Sequence, residues 1–130
     1  MKTAAIHQPN FAPWLGYFYK MLKSDCFVFL DDVQFIRRGY TNRVKVKSQN
    51  GDTWLTVPVQ KKGRYEQLIT EVEIRPDDQW KSKITGTLQA CYGKAPHFYE
   101  YFPGFASIIH REHSSLCEFN IQIIQWLAVQ

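Results

Sequence analysis

TAAIHQPNFAPWLGYFYKMLKSDCFVFL, residues 3–30, begins with a short apolar run that stops at His7, as a buried strand running into a turn would. After Pro13 the apolar residues recur at intervals of three and four, which predicts a helix over residues 14–23. Residues 26–30 are continuously apolar and predict a strand covered on both faces. Strand, helix and strand in so short a stretch predict a parallel βαβ unit.

Residues 43–58 predict an antiparallel hairpin. Residues 43–47 alternate between basic and apolar side chains, Asn50-Gly51 supplies the turn, and residues 53–58 return as the second strand. Lys45 and Lys47 lie on one face of that hairpin. This basic face either binds an anion or only protects an edge strand from aggregation.

The chain between the hairpin and residue 93 predicts one more strand and a helix. Residues 68–75 carry partly buried apolar positions and predict a strand that turns at Pro76. Asp77 is expected to cap a helix over residues 78–91, and Gly93 to end it.

The C-terminal third is rich in aromatic and apolar residues. Residues 96–105 are strongly aromatic, and a last helix is expected to begin at Ser114 or Ser115. That helix pattern runs to residue 130 without a C-cap, so we expect a single α/β domain over residues 1–130 that is the N-terminal part of a longer protein. The predicted fold is α/β, with a βαβ start and parallel sheet, an antiparallel hairpin and C-terminal helices.

Composition limits the class of protein. A chain of 130 residues that is 45% hydrophobic can bury one core. Its net charge of +4 is concentrated between Arg37 and Arg64, which favours an anionic small-molecule partner or only a solvated basic surface. The three cysteines are far apart in the sequence, which predicts reduced thiols. The sequence also shows no signal peptide and no apolar run of about 18 residues. Together these features predict a cytoplasmic protein without a membrane segment. The oligomeric state is left open.

Polar side chains follow both strands of the predicted βαβ unit. In open parallel sheets the ligand crevice lies beyond the carboxyl ends of the strands. His7, Asp31 and Asp32 stand there and are the candidate catalytic residues, for proton transfer. Alternatively, His7 is structural and the aspartates are a solvated strand end; two acids are too few to assert a metal, so Mg²⁺ is no more than a candidate and no metal ligand is assigned.

A polar and cationic loop follows the two aspartates. Arginine forms bidentate hydrogen bonds with phosphate and carboxylate, and amide side chains can bind a sugar or a base edge. The alternative is a surface ion pair between Asp32 and one of the arginines, which would contribute little stability. The candidate substrate-binding residues in this loop are Gln34, Arg37, Arg38, Asn42 and Arg43.

Four separated motifs carry a resemblance to a known family. Residues 6–18 (IHQPNFAPWLGYF), residues 27–35 (FVFLDDVQF), Asn42-Arg43 and residues 54–58 (WLTVP) resemble, in order and spacing, the opening half of WbqC-like proteins. The resemblance covers residues 3–102. It implies a chain nearer twice this length and a cytoplasmic role in making or modifying an activated sugar for O-antigen, lipopolysaccharide or another surface polysaccharide.

A second similarity concerns the start of the predicted first helix. Pro13-Trp14-Leu15-Gly16-Tyr17 after a strand is similar to the Pro-x-His-x-Gly-His region of nucleotidylyltransferases, with Trp14 and Tyr17 at the histidine positions. This implies a nucleotidylyltransferase-like arrangement in which Gln8, Asn10, Trp14 and Tyr17 bind substrate beside the helix N-terminus, where an anion is favoured. The alternative is that both aromatic residues belong to the core.

These observations support hypotheses from different functional classes. The first is a transferase acting on a nucleotide-activated or sugar-linked substrate. The second is a non-catalytic module that binds a nucleotide sugar or a partner enzyme. Nucleic-acid binding is a third and disfavoured option, because the sequence contains no RRM, KH or zinc-finger signature.

Overall fold

The N-terminal βαβ unit forms as predicted. In the computed structural model, which describes all 130 residues, β1 (Ala4–His7) and β2 (Cys26–Phe29) are parallel, with Ala4 opposite Cys26 and His7 opposite Phe29. The helix α1 (Leu15–Leu22) connects them. The two strands form a sheet of their own.

The expectation that residues 26–30 are covered on both faces is wrong. The side chains of β2 alternate between half-buried and exposed, and 42% of Val28 is exposed. On the buried side of the strand Phe27 packs against Tyr17 of α1, with ring centroids 5.3 Å apart. A continuous apolar run therefore does not by itself guarantee a second covering layer.

The antiparallel hairpin also forms as predicted. It pairs β3 (Arg43–Ser48) with β4 (Gly51–Thr56) across the two-residue loop Gln49-Asn50. Gly51 has φ of 121°, a conformation that side chains with a Cβ rarely adopt, which explains the Asn-Gly signal at the turn.

The predicted strand over residues 68–75 is wrong. This segment contains a 3₁₀ turn, Ile69–Glu71, and pairs with its neighbours only through single bridges. The Glu71 carboxylate accepts a hydrogen bond from the Leu68 N–H at 2.8 Å, which closes the turn locally. Ile69, Val72 and Ile74 are still buried, so the apolar spacing indicated burial correctly and the conformation wrongly.

Two of the three C-terminal helices agree with the sequence. They are α2 (Gln79–Tyr92) and α4 (Leu116–Ala128), and Ser115 caps α4 by accepting a hydrogen bond from the Glu118 N–H. The residue before α2 is Asp78 and not the expected Asp77, and its side chain makes no capping hydrogen bond. The aromatic segment forms a third helix, α3 (Phe98–His110), which was not predicted and which contains Pro103. The sequence did not predict this helix because its aromatic pattern contains a proline and a glycine. Proline removes a backbone hydrogen-bond donor and normally ends a helix.

One core joins the hairpin, the 3₁₀ turn and the helices. It comprises sixteen buried residues, and none of them comes from β1, α1 or β2. Phe119 of α4 lies within this core, with its ring centroid 5.8 Å from that of Phe11 and 5.7 Å from that of Trp80. The βαβ unit is therefore attached at the edge of the core. No helix of the protein has the length and apolar character needed to cross a membrane.

The environment of His113 predicts that stability depends on pH. Its ring lies 4.6 Å from that of Phe119 and its Nε2 lies 2.6 Å from the Ile108 carbonyl oxygen. Burial lowers the pKa of His113 from its usual value of 6.5; the hydrogen bond to Ile108 opposes this shift, and the positive charges of Lys81 and Arg111 add to it. The unfolded chain therefore takes up the proton first, so this stabilisation is complete above pH 6.5 and is lost as pH falls through the lower folded-state pKa.

We expect the free energy of unfolding to fall more steeply between pH 7.5 and pH 5 in the wild-type protein than in the non-titrating variant His113→Asn. Urea denaturation at several pH values in this range measures both curves. The comparison of slopes removes any constant offset that the substitution itself causes. Parallel curves would contradict the assignment of this pH dependence to His113.

Candidate functional site

The end of β1 meets the start of α1 in an aromatic cluster around His7. The His7 ring lies edge-on to Tyr17 and Trp14, with centroid distances of 4.8 and 5.6 Å. The Gln8 carbonyl oxygen accepts a hydrogen bond from the Tyr17 hydroxyl at 3.0 Å, and His7 Nδ1 lies 3.0 Å from the same oxygen. A carbonyl oxygen can only accept, so this contact requires the proton on Nδ1 and leaves Nε2 of a neutral His7 free to accept one.

The two aromatic residues that replace the nucleotidylyltransferase histidines differ in environment. Tyr17 is fully buried, and burial raises its pKa, so its hydroxyl remains a neutral donor. Trp14 is 54% exposed and is available to a ligand. Trp14 is the N-cap residue of α1, and Pro13 lies before it, two positions ahead of the first helical residue Leu15.

Asn120 joins the segment after β1 to the segment before β3. It is fully buried in α4, and its Nδ2 donates to the Pro9 carbonyl oxygen at 2.8 Å and to the Thr41 carbonyl oxygen at 2.7 Å. Its Oδ1 has no hydrogen-bond partner. Because both donor hydrogens are used, this one side chain sets the separation of the two segments that border the cleft described below.

Asn42 is also used within the protein. The side-chain Nδ2 of Asn42 donates to the Val57 carbonyl oxygen at 3.0 Å. The backbone carbonyl oxygen of Asn42 accepts a hydrogen bond from the Val57 N–H at 2.8 Å. The side chain is buried. Asn42 therefore holds the start of the hairpin against the chain that leaves it.

The two candidate acids, Asp31 and Asp32, lie in different environments. The carboxylate of Asp31 lies 3.8 Å from the Cys117 thiol at the start of α4, whereas Asp32 is exposed. Burial, and then the negative charge of Asp31, raise the pKa of Cys117 to about 11, so the thiol is neutral at physiological pH. No group of three or more His, Cys, Asp or Glu side chains is arranged to hold a metal ion.

Two arginines of the basic loop, Arg37 and Arg43, contact different residues. Arg37 donates to the Arg64 carbonyl oxygen at 3.2 Å and lies over the Tyr65 ring. Arg43 lies over the Trp54 ring, 4.0 Å from its centroid, and donates to the carbonyl oxygen of Arg38. Arg38 and Gln34 are exposed. The side chains of Arg37 and Arg43 therefore contact different parts of the chain.

A cleft opens where Trp14 meets the hairpin. A smaller part, of about 460 Å³, adjoins a larger part of about 700 Å³, and both are lined by Trp14, Val44 and Lys45. The smaller part is completed by Asn10, Phe11, Pro13 and Tyr40. The larger part is mostly apolar, and its aromatic lining consists of Tyr92, Phe98, Tyr101, Phe102, Phe105 and Trp126.

The cleft has few polar lining residues: Asn10 and Tyr40 in its smaller part, Lys45 in both parts, and Tyr92, His97 and Tyr101 in its larger part. The Lys45 ammonium group lies 2.8 Å from the Asp52 carboxylate, and that hydrogen bond raises the pKa of Lys45, so the amine is positively charged. Asn10 is buried and lines this part of the cleft, beside Tyr40. The Tyr40 ring in turn contacts Trp54, on which Arg43 lies. A cleft of this size, apolar with a few convergent polar groups, has the form of a small-molecule site.

Sequence reasoning placed Tyr40 only in the polar loop and Lys45 only on a basic face that either binds an anion or protects an edge strand, and it did not consider Asn120. Lys45 was visible as a basic residue in an alternating strand, but nothing local showed that Trp14 would lie beside it. Asn120 had one detectable signal, because it is an amide within the apolar pattern of the last helix between Phe119 and Ile123. A polar residue at a core-facing position requires a hydrogen-bond partner.

Fold and cleft together define an α/β protein with a cleft of small-molecule size beside an N-terminal βαβ unit. The chain belongs to the WbqC-like protein family, whose model matches residues 8–130. It is 38% identical over 125 residues to a Mycobacterium tuberculosis protein described as "Uncharacterized protein Rv1507c". The matched region covers 95% of this chain and 54% of the relative. The chain thus spans about half the length of this relative. No solved structure matches.

Proposed function

We propose that this protein is a cytoplasmic transferase that acts on a nucleotide-activated or sugar-linked substrate in O-antigen or other surface-polysaccharide biosynthesis. The observation that carries the proposal is the cleft beside the βαβ unit, where Asn10, Trp14, Tyr40 and Lys45 line the smaller part. The biosynthetic setting is the one that the resemblance to WbqC-like proteins implies, and the chain belongs to that family.

The side chains of the cleft match the parts of such a substrate. Exposed aromatic faces such as that of Trp14 stack on bases and on the apolar faces of sugars. The Lys45 ammonium group attracts a phosphate, although Asp52 offsets part of its charge. The Asn10 amide can hydrogen-bond a hydroxyl, and the apolar larger part can take the remainder of a sugar-linked molecule.

In this proposal His7 is the proton acceptor for the attacking group. Its Nδ1 faces the Gln8 carbonyl oxygen, so Nε2 is the nitrogen with a free lone pair. Asp31 and Asp32, beyond the end of β2, are the accompanying acids. All three residues lie at the carboxyl edge of the same two-stranded sheet.

One observation favours the non-catalytic alternative, a nucleotide-sugar or partner-binding accessory module. No Asp or Glu side chain lines either part of the cleft, and His7 does not line it either. The Asp31 carboxylate contacts the Cys117 thiol instead. Both functions predict ligand binding, and only the transferase predicts a product.

Ligand binding is tested by thermal unfolding in the presence of nucleotides, nucleotide sugars and sugar phosphates. A ligand that binds only the native state raises Tm. We expect Trp14→Ala and Lys45→Glu each to weaken the binding of the active compound by about tenfold, the effect of 1.4 kcal/mol.

Lys47→Glu is the matched control, because Lys47 is exposed on the same face of β3 but does not line the cleft. It changes the net charge as Lys45→Glu does, so it should leave affinity within about twofold, less than 0.5 kcal/mol. Equal losses in the two variants would mean that overall charge, and not the cleft, attracts the ligand.

Turnover separates the two functions. Mass spectrometry of the bound compound incubated with candidate acceptors should reveal a transferred group. His7→Gln should abolish that product and keep binding if the protein is a transferase. Binding without any product in the wild-type protein would favour the accessory module, and the absence of binding by every compound would contradict both.

A further inference from the structure

One face of the two-stranded parallel sheet is bare and apolar. Ala4 lies opposite Cys26 and Ile6 opposite Val28, and all four residues are exposed, Ile6 by 57%. The other face carries residues that α1 covers, among them His7 and Phe27, which contact Tyr17. The bare face consists of Ala4, Ile6, Cys26 and Val28.

The helix that covers the sheet is apolar on its outer side as well. Leu15, Tyr19 and Leu22 are spaced by four and three residues, so they form one stripe, and all three are exposed. Tyr17, Phe18 and Met21 form the inner side. A helix that is apolar on both sides belongs inside a larger packed structure.

Parallel strands are not stable as an isolated pair with one open face. Parallel sheets occur almost only with both faces covered, and a two-stranded sheet leaves a free edge on each strand. Here each strand has only the other as a partner, and the βαβ unit supplies no residue to the main core. The open face and free edges therefore require a further layer.

We propose that the bare face binds a further segment made of strands and a helix. The occupant is the counterpart of the part of the mycobacterial relative that this chain does not match. That part is a little under half of the relative, because the matched region makes up 54% of it. A segment of that length can supply both a covering helix and additional parallel strands. The proposal concerns this face only and does not depend on the proposed transferase activity.

The first test uses the relative and this chain as they exist, by hydrogen exchange of backbone amides. In this chain the amides of β1 and β2 should exchange much faster than those of α4, whose buried side belongs to the core. In the relative, the aligned strands should exchange as slowly as its core helices. Fast exchange of these strands in the relative would overturn the proposal.

The second test uses a chimera in which this chain replaces the matched region of the relative. Cys26 reports on the bare face because it is exposed, whereas Cys117 is buried; Cys91→Ser removes the remaining, partly buried thiol. Native alkylation of Cys26 by iodoacetamide should be at least about tenfold slower in the chimera than in the 130-residue chain, which corresponds to protection by at least 1.4 kcal/mol.

Charge substitutions distinguish a covering segment of the relative from an open face and from a second copy of this chain. Val28→Glu should restore Cys26 alkylation and lower Tm in the chimera, but leave the Tm of the 130-residue chain almost unchanged. Ile36→Glu, at an exposed apolar residue outside the sheet, should change neither. Equal alkylation in both proteins, or a homodimer of the 130-residue chain that Val28→Glu dissociates in sedimentation, would contradict the proposal and favour an open face or a second copy.

Discussion

Replacing Phe119 by alanine is expected to lower the free energy of unfolding by about 3–5 kcal/mol, the range for removing a buried phenylalanine. Phe119 is fully buried and contacts three rings, with centroid distances of 5.8 Å to Phe11, 5.7 Å to Trp80 and 4.6 Å to His113. These rings come from the segment after β1, from α2 and from the segment before α4. Truncation leaves a cavity between elements that cannot collapse independently.

Urea denaturation measures this loss. Tyr99→Ala is the matched control, because Tyr99 is also an aromatic residue of a helix but is 65% exposed. Its replacement should change the free energy of unfolding by less than about 0.5 kcal/mol, as most surface substitutions do. A loss below 1 kcal/mol for Phe119→Ala would mean that the core around α4 is less tightly packed than the ring contacts indicate.

Replacing Asn120 by aspartate is expected to lower the free energy of unfolding by about 2–4 kcal/mol, because each buried group left without its hydrogen bond costs about 1–3 kcal/mol. Aspartate has nearly the same shape as asparagine. It lacks the amide hydrogens that bind the Pro9 and Thr41 carbonyl oxygens, and a carboxylate facing two carbonyl oxygens is repelled. The substitution therefore removes the hydrogen bonds without creating a cavity.

Gln125→Glu is the matched control for Asn120→Asp. It makes the same exchange of an amide for a carboxylate in the same helix, at an exposed residue. It should change stability by less than about 0.5 kcal/mol. Equal effects of the two substitutions would indicate that negative charge on α4, and not the two buried hydrogen bonds, determines the result.

Asn120→Asp also connects the fold to the cleft. The carbonyl groups that Asn120 binds belong to Pro9 and Thr41, which are adjacent in sequence to Asn10 and Tyr40 of the cleft lining. Loss of these hydrogen bonds frees the two segments relative to each other. In the stable fraction of the variant, ligand affinity should therefore fall together with stability.

The elements predicted correctly are those determined by local patterns. The helical spacing after Pro13, the basic and apolar alternation before the Asn-Gly turn and the serine before the last apolar helix each act over fewer than about fifteen residues, the range over which periodicity and caps operate. The expectations for the conformation of residues 68–75 and for the cover of β2 were wrong. In both segments the spacing of apolar residues indicated which side chains tend to be buried. Such burial is compatible with a 3₁₀ turn or a half-covered strand as well as with a fully covered strand.

The candidate site shows the same division. The sequence alone indicated that polar residues follow both strands of the βαβ unit and that Asn10 and Trp14 stand at the start of its helix. Whether Arg37 and Arg43 act together, and which side chains border Trp14, depended on contacts between segments far apart in the chain. The structure directs Arg37 to residues 64–65 and Arg43 to Trp54.

The sequence by itself determined the βαβ unit, the hairpin, two of the three C-terminal helices and membership of the WbqC-like family, because all of these are encoded in short patterns of residue type and spacing. Only the tertiary structure decided that Lys45 and Tyr40 join Trp14 in one cleft, that Asn120 holds its borders, and that one face of the parallel sheet is bare. The physical reason is that hydrogen bonds and ring contacts between segments as far apart as Pro9 and Asn120 are selected by the packing of the whole chain, and no local pattern specifies which partners meet.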